Sequence, residues 1–191
     1  MIGGVKVIDP TDITNYYRTQ AELEEFILFC VAVGGKTASI IAKQLNEFLI
    51  HGEPGQTAFQ IIRNYNEKKL LEMLKKSKLG KYKLLTRSFS QLAYSNINLK
   101  SCLVEELEKF PGIGPKTSRY FVLHTRPNVK IACIDTHVKK WLRNKGYTSN
   151  KYEELERAFI DEADKMGMDY ATLDLKIWNE FSIRSGKNKI I

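Results

Sequence analysis

The sequence predicts an all-α fold of about ten helices. Three observations predict it: apolar residues recur at helical spacing along almost the whole chain, Gly and Pro fall where those runs stop, and only residues 5–8 hint at a strand. At 191 residues the chain is long enough to bury a core without disulfides or metals.

Leu23, Phe26, Ile27 and Cys30 mark the first helix, and Ile41, Leu45, Phe48 and Leu49 the second. Gly34 and Gly35 turn the chain between them, with Lys36 at the turn. Leu70, Met73 and Leu74 place a helix over residues 67–77 with Gly80 as its stop, and Tyr82, Leu85, Phe89 and Leu92 place the next. Both carry basic outer faces. Leu103, Leu107 and Phe110 mark a helix closed by Pro111 and Gly112, while Pro115 suits the first turn of the following one, where its missing amide costs nothing. After the short apolar run 131–134, Asp135 or Thr136 caps a helix with Val138, Trp141 and Leu142 on its apolar side and Gly146 at its end. Leu155, Phe159 and Ala163 define another, and Tyr170, Leu173, Ile177 and Phe181 the last. No internal repeat, low-complexity tract or long linker divides the chain.

Thirty Lys and Arg against twenty-two Asp and Glu leave a net charge of +8, which favours a polyanionic partner: nucleic acid or an anionic membrane surface. Cys30, Cys102 and Cys133 are far apart among apolar neighbours, as core residues in a reducing compartment are. The N-terminus lacks the order of a signal peptide, and the longest apolar run, 26–33, is too short to span a bilayer. The expectation is a soluble, cytoplasmic, nucleoid-associated protein, monomeric by default.

The chemistry concentrates in residues 107–117, Leu-Glu-Lys-Phe-Pro-Gly-Ile-Gly-Pro-Lys-Thr. Gly112 and Gly114 permit backbone angles and a close approach that a Cβ forbids, and Ile113 between them anchors the turn. Their amides, with those opening the next helix, would point at one phosphate with the helix dipole behind them. Lys75, Lys76, Lys78, Lys81 and Lys83 form a dense basic stretch around Gly80, fit for backbone phosphates without reading sequence.

This hairpin, followed by Ile134-Asp135-Thr136-His137, resembles the helix-hairpin-helix glycosylase superfamily that includes endonuclease III and the 8-oxoguanine glycosylases. The resemblance implies a two-lobed fold: a central lobe over residues 28–132 containing the hairpin at about 103–125, a second lobe from residues 1–27 and 133–191, and an active cleft between them. It implies that Lys116 is the nucleophile of a bifunctional glycosylase and AP lyase and that Asp135 stabilises the oxocarbenium-like sugar. It also implies a double-stranded DNA substrate whose damaged base is flipped out, since a stacked base is unreachable. A nucleophilic lysine must lose its proton, so burial and the helix N-terminus are expected to lower the Lys116 pKa. The wedge that fills the vacated stack would lie at Gly35 and Lys36, although the turn lacks the Gln or Asn often found there.

Residues 173–178, Leu-Asp-Leu-Lys-Ile-Trp, resemble a segment of the compact archaeal-type 8-oxoguanine glycosylases, which would put Trp178 and Asp174 at the base pocket and make 8-oxoguanine the preferred lesion. Those relatives finish on a lysine, whereas this chain runs on to Ile191. No cysteine follows Cys133, so the closely spaced cysteines that hold the iron–sulfur cluster of endonuclease III have no counterpart, and no cofactor is expected beyond a monovalent cation at the hairpin. His137 is read as supporting the local helix start. The competing functions are an oxidised-pyrimidine glycosylase, a monofunctional mismatch or alkylation enzyme, and a non-catalytic hairpin module that binds DNA for a partner.

Overall fold

The computed structural model describes residues 8–184, with side chains to Phe181, and within that span the chain is all-α, with ten helices and no strand. Of the expected strand at residues 5–8, only Ile8 is described, and it is not in a strand. The helices are α1 (Gln20–Val33), α2 (Ala38–Leu49), α3 (Ala58–Arg63), α4 (Glu67–Lys76), α5 (Tyr82–Tyr94), α6 (Val104–Leu107), α7 (Pro115–Leu123), α8 (Thr136–Asn144), α9 (Tyr152–Lys165) and α10 (Tyr170–Arg184).

α1 is the axis of the molecule. It opens with a capping box between Thr19 and Glu22, and from Leu23 to Ala32 only Glu25 is not buried. A helix apolar all round belongs inside a core, and α1 packs against α2, α3, α5 and α7. The buried Glu24 within it accepts from the Phe59 amide at 3.0 Å, which pins the start of α3 to α1.

The apolar interior separates into one large cluster, from Ile13 to Val122, and a second, from Ala132 to Phe181, built by α8, α9 and α10. The border expected at residue 28 does not coincide with a change of cluster, because Ile13, Leu23, Phe26 and Ile27 all pack in the first. A smaller group, Leu123, Cys133 and Ala171, lies apart from both.

Three helix ends differ from the sequence reading. α4 stops at Lys76, ahead of the expected stop at Gly80: Lys78 takes the left-handed conformation (φ 60°) and the Leu79 amide returns to the Leu74 carbonyl at 3.2 Å. This is a Schellman-type end with lysine where glycine is usual. α6 is one turn long and ends at Leu107, so residues 108–114 form the hairpin turn. α3 has no counterpart in the sequence reading, and Thr57 and Gln60 form the capping box that starts it.

Candidate functional site

The hairpin is built from the inside outward. Ile113 is buried in the first cluster and its amide donates to the Phe110 carbonyl at 3.1 Å. Gly112 has φ +82°, and a Cβ there would stand 3.2 Å from the Leu84 side chain, so α5 backs directly onto the turn. Glu108 closes the hairpin, accepting from the Ser118 hydroxyl at 2.8 Å and from Arg119 at 2.9 Å, while Arg119 Nε reaches Glu156 of α9 at 2.9 Å. Glu156 also accepts the Ala132 amide at 2.9 Å, which joins α7, α9 and the 131–134 segment through one carboxylate. Gly114 is the N-cap of α7 and Pro115 its first residue. Among the described residues, the amides of Gly112 and Gly114 donate to no protein acceptor.

Lys116 follows immediately, half-buried, with Nζ 4.8 Å from the centre of the Tyr120 ring one turn along α7. Four groups bear on its charge: Cys133, Asp135, Cys30 and Asp174. They arrive from α1, from the approach to α8, from the α8 N-cap and from α10, so the fold brings together residues remote in sequence around one amine.

The electrostatics correct the sequence expectation. Burial, the largest influence, favours the neutral amine, but the surrounding acidic groups outweigh it and the Lys116 pKa lies above the ordinary lysine value. Burial also pushes the Cys30 thiol up to about 12 and the Cys133 thiol well above the usual range. Both are neutral thiols at pH 7, so the charges that then face the ammonium are the carboxylates of Asp135 and Asp174.

Asp135 caps α8. Its Oδ1 accepts from the amides of His137 and Val138, both at 2.8 Å, which fixes the carboxylate at the positive end of the helix. Beneath it the Tyr152 hydroxyl donates to the Ala132 carbonyl at 2.8 Å and accepts the Ile134 amide at 3.0 Å, holding the approach rigid. His137 takes part in the cap through its amide, and its ring lies 6.5 Å from that of Phe181.

Asp174 is 6% exposed on α10 and lies 3.2 Å from Nε2 of His124, a residue 0% exposed at the C-cap of α7. Nδ1 of the same ring meets the Thr14 hydroxyl at 2.7 Å, and Tyr120 packs edge-on at 4.7 Å between centroids. The N-terminal segment straps this corner: the His124 carbonyl accepts from the Asn15 amide at 3.1 Å and from Arg18 at 2.9 Å. His124 was not foreseen from sequence. Trp178, half-buried, sits one turn beyond Asp174 on the same side of α10.

The basic residues gather on an adjoining surface. Lys75, Lys76, Lys78, Lys81 and Lys83 are all exposed. The half-buried Lys36 donates to the Leu79 carbonyl, and Lys81 donates to the Gly34 carbonyl at 2.6 Å, so the α1–α2 turn and the α4–α5 loop are stitched reciprocally. Gly35 beside Lys36 is exposed with φ 73° and open space around it. Through Leu84, this stitched pair adjoins the hairpin glycines. Among the described residues no helix is long and apolar enough to cross a membrane.

Neither a protein-family model nor a solved structure matches the chain.

Proposed function

We propose that this protein is a helix-hairpin-helix DNA glycosylase with AP lyase activity, acting on an oxidised base of double-stranded DNA, with 8-oxoguanine preferred. The observation that carries the reading is the half-buried amine of Lys116 within the electrostatic reach of Asp135 and Asp174, directly behind a hairpin whose Gly112 and Gly114 amides find no acceptor among the described residues. Its fold would be the two-lobed one of that superfamily, with the hairpin helices on one side of the cleft and α8 to α10 on the other.

In this reading the hairpin amides and the exposed lysines around Gly80 hold the DNA backbone, and the reaction runs at the flipped nucleotide. The Lys116 nitrogen forms a bond to the sugar C1′ while the bond from C1′ to the base breaks, and the base departs with the electron pair and takes up a proton. The fixed carboxylate of Asp135 stabilises the positive charge that develops on the sugar. Ring opening gives a Schiff base between Nζ and C1′, and loss of a C2′ proton expels the 3′ phosphate by β-elimination.

The resting amine is protonated, so its proton must leave before the attack. Asp135 and Asp174 are the carboxylates placed to receive it.

Borohydride trapping on a panel of single-lesion duplexes and an abasic duplex tests the proposal. A covalent complex formed by the wild type and lost in Lys116→Gln is expected. Absence of a complex on every duplex, with DNA binding intact, would leave the non-catalytic hairpin module as the better description.

A further inference from the structure

We propose that His124 is a positioning residue of the Lys116 site: anchored by Thr14 of the N-terminal segment, it fixes the Asp174 carboxylate in a chain of contacts that runs through the Tyr120 ring to the Lys116 amine. This rests on the reading of Lys116 as the reacting amine, and it adds a residue that neither the hairpin nor the Asp135 cap calls for.

The argument starts from what a buried carboxylate needs. Asp174 is almost sealed from water, and an ionised carboxylate in such a place is costly unless it is paired and hydrogen-bonded. The partner recorded for it is the His124 ring, at 3.2 Å across 50 residues of sequence. An ionised carboxylate only accepts, so Nε2 must carry the proton and donate. In the neutral ring Nδ1 is then an acceptor, and the Thr14 hydroxyl, 2.7 Å away, is the donor that fills it. Every polar atom of this chain is thereby given a consistent role, and the hydroxyl at one end selects the tautomer at the other.

Rigidity supports the same assignment. His124 terminates α7, the helix that begins with Lys116, and its carbonyl is clamped by Asn15 and Arg18. Arg18 is in turn held over the Phe26 ring at 4.1 Å and bound to the Ile13 carbonyl at 2.6 Å. Tyr120 lies between the histidine and the lysine on one helix face, its ring centre 4.7 Å from that of His124 and 4.8 Å from Lys116 Nζ. The strap fixes the backbone of His124, and the Thr14 hydroxyl holds the imidazole itself.

The groups that bear on the charge of Lys116 are Cys133 from the approach to α8, Asp135 from its N-cap, Cys30 from α1 and Asp174 from α10. Asp135 is fixed by backbone amides. Asp174 depends on His124.

The test reads the titration of the Lys116 side chain directly, by 15N resonance of labelled lysine in the full chain, with Lys116→Gln assigning the signal. Asp174→Asn should lower the titration midpoint by about one pH unit or more, as loss of a nearby opposite charge does. His124→Leu, which strands the carboxylate and drives it to the protonated form, should move it the same way. His124→Gln, whose amide keeps a donor toward Asp174, should return it toward wild type, and Thr14→Val should give a smaller downward shift. Thermal melts identify which variants fold, and Asp174→Asn and Thr14→Val carry the test if His124→Leu does not. An unchanged midpoint in the folded variants overturns the proposal.

Trapping on abasic DNA, measured in parallel, separates the two ideas. A wild-type chain that traps nothing defeats the enzymatic reading, while the lysine titration still decides for or against the role of His124.

Discussion

Asp135 caps α8 and bears on the charge of Lys116 at the same time, using only Oδ1 for the two amides at the helix start. One residue thus has a structural and an electrostatic task, and substitutions separate them. Asparagine keeps an oxygen that caps, so Asp135→Asn should melt close to wild type, whereas Asp135→Ala should lose about 1 kcal/mol. Base release in single-turnover assays should fall by several orders of magnitude in both. Normal release by Asp135→Asn would remove the carboxylate from the mechanism.

Lys116→Gln should abolish trapping and nicking while leaving affinity for lesion duplexes within a few fold, because the amides and surface lysines proposed to meet phosphates are untouched. Fluorescence anisotropy beside a gel assay is sufficient. Cleavage at the wild-type rate would mean that another amine reacts.

The raised pKa of Lys116 fixes the direction of the pH dependence. The reacting form is the neutral amine, scarce at pH 7, so the rate of trapping on abasic DNA should climb across the alkaline range up to the folded pKa. Asp135→Asn, with one facing carboxylate removed, should shift that profile toward lower pH. A profile flat from pH 7 to about 10 would show that deprotonation of this lysine does not limit the step.

Acid stability offers a check on the second cluster. Glu162 accepts from Lys145 and Lys165 and from the Tyr147 hydroxyl, and these bonds hold its pKa at about 2, below the carboxylate value of 4.5. A lowered folded pKa stabilises the protein above the unfolded value, and that contribution disappears as pH falls through the folded one. The melting temperature of Glu162→Gln should therefore lie below wild type at pH 6 and converge with it as the pH is brought from about 4.5 toward about 2.

Glu156 is a stricter structural test. Its carboxylate serves Arg119 and the Ala132 amide, and its removal leaves the Nε of a mostly buried guanidinium and a backbone donor without an acceptor, while Glu108 still holds Nη1. Glu156→Ala should cost about 3 kcal/mol in denaturant unfolding. A loss under about 0.5 kcal/mol would show that water replaces the carboxylate easily.

Much of this architecture was legible because it is local. Helical spacing placed nine of the ten helices, and Pro115, Asp135 and Gly146 marked ends that depend on their own backbone chemistry. α3 escaped because Phe59, Ile61 and Ile62 follow a stretch containing Gly52, Pro54 and Gly55, and its amphipathic period is too short to register; the Thr57 and Gln60 box was the available signal. The segment that carries Lys116 and Asp135 was equally visible. The pairing of His124 with Asp174 was not, since two residues 50 apart meet only through the packing of α7 and α10.

The crossed lysine bonds between residues 33–36 and 78–81 make two surface turns behave as a single body. Whatever draws the Lys36 amine outward strips the Leu79 carbonyl of its donor, and the loop that carries Lys81 is tied by its own amine to Gly34. Displacement at either turn therefore reaches the other. A polyanion settling on the lysine-rich rim would therefore meet these two turns as one surface, and could not shift one without the other.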